Sequence, residues 1–166
     1  VGGEIQYEHL GGASYNLTLK LYRDCDPASF AMPATVDVVV DLGNGTNYTT
    51  FTLPRLGRDT LNPPIDTCAF DPGICVEQAI FSAVVNLPPN TNGYHLYYQV
   101  CCRNNSINNI TTPGGAEETF YAYVPDNNLY LTNSSPVISN FPPVFVCNGQ
   151  DLSLDFGASD LDGDSL

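Results

Sequence analysis

Residues 15–22 read YNLTLKLY, with Tyr15, Leu17, Leu19 and Leu21 at alternate positions and Asn16, Thr18, Lys20 and Tyr22 between them. Successive side chains of an extended chain point to opposite faces, so the pattern predicts a strand with one buried and one wetted face. A helix would scatter the same leucines around its circumference. Upstream, Ile5, Tyr7 and His9 repeat the alternation. Downstream, apolar and β-branched runs predict strands over 35–42, 48–53, 78–86, 94–102, 119–124 and 144–147.

Turn formers separate these runs: GNGTN at 43–47, NPP at 62–64, DPG at 71–73, PPNTNG at 88–93, TPGG at 112–115 and PDNN at 125–128. No segment of helical period and ordinary helix length survives this punctuation. Only 14% of the residues are charged, while Asn, Thr, Gly, Pro and Tyr are abundant, a mixture that suits strands and turns. The expected fold class is all-β: an antiparallel, Ig-like β-sandwich stapled by disulfides, with a barrel as the alternative.

The texture changes near residue 140, where SNFPPVF carries two prolines and residues 150–166 then hold five of the 18 acids. The division expected is a β-sandwich domain over 1–143, then over 144–166 a linker and the first strand of a second β-sandwich module. That last piece is too short to bury a core of its own.

The net charge is −13, with Lys20, Arg23, Arg55, Arg58 and Arg103 the only fixed cations. Such a surface repels phosphate backbones and anionic lipid heads, which argues against nucleic acid as a partner. No window approaches the roughly 18 apolar residues of a membrane-spanning helix, so membrane insertion is not expected.

Six cysteines, Cys25, Cys68, Cys75, Cys101, Cys102 and Cys147, occur without CxxC spacing and with only two histidines for company. An even count of this kind favours disulfides over zinc, and with them an oxidising compartment. Cys68 and Cys75 flank the DPG turn and are expected to pair locally. Alternation from Leu17 to Cys25 and from Leu96 to Cys102 points both ends inward, which favours Cys25 with Cys102 and leaves Cys101 for Cys147. Three connectivities remain open for these four distant cysteines.

The segment ASDLDGDSL at 158–166 places Asp160, Asp162 and Asp164 at alternate positions, with Gly163 permitting a sharp turn. Hard oxygens that converge in this way suit calcium, of the kind held between tandem extracellular β-modules. The glycine position does not follow an EF-hand loop, and Asp151 and Asp155 are further oxygen donors nearby. A solvated Asx turn is the plain alternative.

Catalytic motifs are thin. The chain has no GxSxG, HExxH, GxxxxGK or Rossmann glycine fingerprint. His9 and His95 sit within strand patterns, Glu117 and Glu118 point apart on an extended chain, and a distant carboxylate pair such as Glu4 with Glu77 is open from sequence. The reading favours a non-enzyme. Exposed tyrosines, Tyr97 and Tyr121 for example, offer rings for stacking on surface glycans, although strand tyrosines more commonly pack beside a core.

Five stretches carry a resemblance: VGGEIQYEHLGGASYNLTLKLYRDC at 1–25, ICVEQAIFSAVVNLP at 74–88, GYHLYYQVCCRNN at 93–105, NSSPVISNFPPVFVC at 133–147 and DFGASDLDGDSL at 155–166. Together they resemble the N-terminal region of large secreted surface proteins of Bacteroidota. Those are modular adhesin-like chains with PKD-like or cadherin-like repeats and a gliding-motility-associated C-terminal domain for type IX secretion. The resemblance implies that GGE lies just after a removed signal peptide and that 144–166 opens a PKD/cadherin-like repeat. It also implies O-glycan acceptors at Asp-Ser/Thr-apolar sites, with Thr60 in a turn-rich loop the better candidate over Ser165. The expected function is a structural or adhesive module at the cell surface or in a fibre. Its partners would be other copies of itself, joined through strand edges, or adjoining modules of the same chain. A carbohydrate-binding module is the alternative.

Overall fold

The computed structural model describes residues 2–25, 31–61, 75–105, 107–138, 149, 151, 153, 155 and 157–164. Seven long strands carry the fold: β1 (Gly2–Gly11), β2 (Ser14–Asp24), β3 (Thr35–Leu42), β4 (Thr46–Leu61), β5 (Val76–Asn86), β6 (Tyr94–Cys101) and β7 (Glu117–Val124). They form one sheet in the order β1-β2-β5-β4-β3-β6-β7, and every pairing is antiparallel. A two-residue pair, β8 (Val137–Ile138) with β9 (Ala158–Ser159), lies beyond it.

The alternation that opens the chain is realised in full. Tyr15, Leu17, Leu19 and Leu21 are all buried, and the three leucines have no exposure at all. Burying each leucine contributes about 2 kcal/mol of transfer free energy. Opposite β2 stand Ala79 and Phe81 of β5. Val36, Val38 and Val40 of β3, Leu53 of β4, Leu96 and Val100 of β6, and Phe120 and Val124 of β7 complete one continuous core.

The sheet folds over on itself through β4. The strand expected over 48–53 runs instead from Thr46 to Leu61, straight through Pro54. Its first half pairs with β3, through Thr35 opposite Pro54. Its second half pairs with β5, after a bulge between Arg55 and Gly57. A bulge bends and twists a strand, so one strand serves both halves of the sheet without a break. Pro54 sits at the changeover, where its missing N–H interrupts no regular ladder, while Arg55 donates its own N–H to Ala34 O at 2.9 Å. β1 and β7, the two ends of the sheet, come side by side. The result is an antiparallel all-β body close to a barrel in outline.

The exposed edge of β1 is occupied. Ser135 Oγ accepts the Tyr7 N–H at 2.9 Å, Ser134 Oγ accepts the His9 N–H at 3.1 Å, and the Ser135 N–H donates to Tyr7 O at 2.8 Å. Two serines therefore take hydrogen-bond positions that another strand would use. Among the described residues one charged residue is buried: Glu77 lies between Arg23 and Arg58, with the Arg23 Nε to Oε2 distance 2.5 Å.

The disulfides differ from the expected pairs. Cys25 is bonded to Cys75, and Cys101 to Cys102. The reason for the first lies in strand order. β2 and β5 are neighbours, Asp24 stands opposite Val76, and continuing that register brings Cys25 beside Cys75 at the end of the ladder, where Cys25 N–H donates to Cys75 O at 3.1 Å. The inward parity assigned to Cys102 fails because β6 ends at Cys101, and both of the adjacent cysteines are exposed. Cys68 and Cys147, the predicted strand over 144–147 and the expected boundary near 143 lie outside the described residues.

Candidate functional site

The outward face of β3, β6 and β7 gathers polar and aromatic side chains that the core excludes. Val40, Leu96 and Ala122 are on its inner side. The residues between them alternate outward: Asp41 stands opposite His95, His95 opposite Tyr123, and Tyr97 opposite Tyr121. Cross-strand neighbours on one face are close enough for rings to touch. The His95 ring centroid is 5.0 Å from that of Tyr123 and 5.7 Å from that of Tyr121, and His95 Nδ1 lies 2.6 Å from the Tyr121 hydroxyl.

The turn between β3 and β4 closes one side of this face. Asp41, Gly43, Gly45, His95, Tyr97 and Tyr121 line an open cleft of about 410 Å³. Gly43 allows a close approach, since a side chain there would run into Asn92 O. Gly93 has φ +68 and backs onto Tyr123, so the turn before β6 can accept only glycine without strain. The Tyr123 hydroxyl donates to Asn92 O at 3.2 Å, which fixes that ring beside the cleft. Asp41 Oδ1 is shielded from solvent and has no hydrogen-bond partner among the described residues. Burial, and then the neighbouring Tyr123, raise the Tyr121 pKa above its ordinary value, which keeps the phenol protonated and able to donate.

Of the tyrosines named from sequence, Tyr97 and Tyr121 thus come together on one face. Asp41 and His95 were not linked to them in the sequence, since the signal that joins them is the β3–β6 pairing, which unites strands more than fifty residues apart. The vicinal Cys101–Cys102 disulfide, whose peptide bond is cis, lies at the other end of β6.

The aspartates of the tail do something else. Asp160 Oδ1 accepts the N–H of Asp162 at 2.8 Å and of Asp164 at 3.3 Å, which folds the loop around its own first carboxylate. Asp164 Oδ2 accepts Asn133 Nδ2 at 3.1 Å, and Asp162 Oδ2 accepts the Ser134 N–H. Asn133 in turn accepts the Tyr7 hydroxyl. Burial, Tyr15 and these three carboxylates raise the Tyr7 pKa, so that phenol is a permanent donor. Among the described residues no three His, Cys, Asp or Glu side chains converge in a metal-holding arrangement.

The remaining candidates are dispersed. Thr60 is exposed, but it lies near the end of β4 opposite Glu77 and not in a turn-rich loop, and its N–H donates to Asp59 Oδ1 at 2.8 Å. The strand expected over 48–53 continues to Leu61 and so includes Thr60. His9 contacts Gly12 O through Nε2 at 3.0 Å. Glu4 pairs with Lys20 at 2.8 Å and Glu77 with arginines, so these two carboxylates serve different ion pairs. Glu118 faces Arg103 at 3.8 Å.

No family model, curated protein or solved structure matches the chain. The two disulfides place it in an oxidising, non-cytoplasmic setting. Among the described residues no helix is long and apolar enough to cross a membrane.

Proposed function

We propose that this chain is a structural and adhesive module of an extracellular, cell-surface protein, presenting its surface and joining its neighbours rather than performing chemistry. The observation that carries this reading is the cross-linked β body. The covalent bond between Cys25 and Cys75 secures the ladder between β2 and β5 at its end, a device that benefits a domain working outside the cell without chaperones or repair. The resemblance to N-terminal regions of Bacteroidota surface proteins supports the same reading, as does the strongly acidic surface.

Partners in this reading are adjoining modules or other copies of the chain. Assembly through strand edges would have to displace a cover, because Ser134 and Ser135 occupy the β1 edge at Tyr7 and His9 and β7 lies beside β1. Calcium enters with oxygens from an adjoining module, because Asp160 closes its own loop while Asp162 and Asp164 accept from Ser134 and Asn133. Thr60 is the proposed O-glycan acceptor, supported by its exposure.

Surface labelling of intact cells tests the reading. A membrane-impermeant probe should label the chain, and its cysteines should resist alkylation until reductant is added. A chain that stays inside the cell with its thiols reduced refutes it. Carbohydrate binding is the second reading, favoured by the convergence of Tyr97 and Tyr121 beside Asp41.

A further inference from the structure

The two disulfides bear differently on the fold. Cys25–Cys75 joins neighbouring strands across a separation of 50 residues, and both of its cysteines are half-buried at the end of the β2–β5 ladder. Cys101–Cys102 joins residues that a peptide bond already joins, so it closes no loop and ties no two elements together. Both of its cysteines are exposed, at the point where β6 ends. A disulfide that neither cross-links nor is covered keeps one property, its reactivity toward thiols. We propose that Cys101–Cys102 is a thiol-exchange site, opened by small external thiols while Cys25–Cys75 stays closed.

The thiolate of the external thiol attacks one sulfur of the pair, the S–S bond breaks, and the other sulfur leaves as a thiolate that takes up a proton. A second external thiolate attacks the mixed disulfide, which releases the remaining cysteine as a thiol and the two external sulfurs as a disulfide. Two electrons thus pass from the external thiols to Cys101 and Cys102. Access makes the step selective, because exposed disulfides are the labile ones. Linkage adds to it: a bond that stabilises the folded state by restricting the unfolded chain is held closed by folding to the same extent. Folding therefore protects Cys25–Cys75, with its long loop, and gives Cys101–Cys102 almost nothing. The surroundings also tolerate the opening. β6 and β7 are paired from Tyr94 opposite Val124 to Cys101 opposite Glu117, and just beyond, the Arg103 N–H donates to Ala116 O at 3.2 Å. The hairpin is hydrogen-bonded on both sides of Cys102 without help from the sulfurs.

The test equilibrates the full chain in buffers of stepped reduced-to-oxidised dithiothreitol ratio, quenches with acid, alkylates with N-ethylmaleimide and maps the peptides, so that each pair is read separately. Cys101 and Cys102 should be half alkylated at a ratio about tenfold or more below that for Cys25 and Cys75. With that pair alone open, the melting temperature should stay within about 3 °C of the parent, and faster hydrogen exchange should be confined to the chain around Cys101, Cys102 and Ala116. With glutathione in place of the dithiol, the mixed disulfide should be caught on Cys101 or Cys102. Opening of Cys25–Cys75 first or at the same ratio overturns the proposal, as does a Cys101–Cys102 pair that yields only in denaturant. A larger fall in melting temperature would make the pair a structural staple and overturns it too. The measurement uses purified protein, so its failure leaves the reading as a surface module intact, and a chain that does not reach the cell surface leaves the exchange site standing.

Discussion

Replacing Cys25 and Cys75 together by alanine should cost the fold about 4 kcal/mol. The bond joins residues separated by 50 positions. In the chain-entropy treatment, a closed loop of that length restricts the unfolded ensemble by about 14 cal/mol/K, or about 4 kcal/mol at room temperature. With a urea m-value of about 2 kcal/mol/M, the unfolding midpoint should fall by about 2 M, and the melting temperature by about 10 °C. The same treatment applied to Cys101 and Cys102, adjacent in the chain, leaves almost no loop to close, so their double alanine variant should lose about 1 kcal/mol or less. Urea unfolding of the two double variants beside the parent reads both values. Equal losses, or a larger loss for the Cys101 and Cys102 variant, would refute the argument that loop length decides what each bond contributes. Non-reducing peptide mapping gives an independent check, since Cys101 and Cys102 should appear in one peptide lighter by two hydrogens.

Glu77→Ala should destabilise the protein by about 3 kcal/mol in thermal or urea melts, because it strips a buried carboxylate from the largely buried Arg23. Arg58→Ala, on the half-exposed side of the same carboxylate, should cost about 1 kcal/mol or less. At high pH the buried tyrosines become a liability. Burial, then Tyr48 and Tyr15, push Tyr94 up to about 12, and its hydroxyl donates to Pro88 O at 2.7 Å. The native state thus holds a proton that the unfolded chain releases near pH 10. Stability is complete below that value and is lost as the pH rises from 10 towards 12, which phenolate absorbance followed alongside circular dichroism will register. Titrating calcium into a protein that includes the adjoining module should raise its melting temperature, and Asp160→Asn with Asp162→Asn should abolish the rise. No shift in the parent would count against calcium at these residues.

Much of the fold was legible because its strands alternate. Leu17, Leu19 and Leu21 announce a buried face in any context, and Leu96 and Val100 do so again. What could not be read was which strand lies beside which. The sequence suggests that inward-pointing Cys25 meets Cys102 across the core, but β2 runs beside β5, and the cysteine that ends β2 meets the one that precedes β5. The length of β4 was hidden for a related reason. A proline normally terminates a ladder, and only the exchange of β4 from one neighbour to another makes it acceptable in mid-strand. The cleft was half legible: the tyrosines were visible as candidates, while Asp41 joins them only through its tertiary pairing with His95.

The tail loop and the first strand are tied to one another through short links: Asp164 to Asn133, Asn133 to Tyr7, Asp162 to Ser134, and Ser134 to His9. Tension entering through the residues after Asp164 would therefore reach β1 before it reached the rest of the sheet. The direction of pull then decides how the links yield, one after another like a zip or all together in shear, and so how much force parts the tail loop from the sheet.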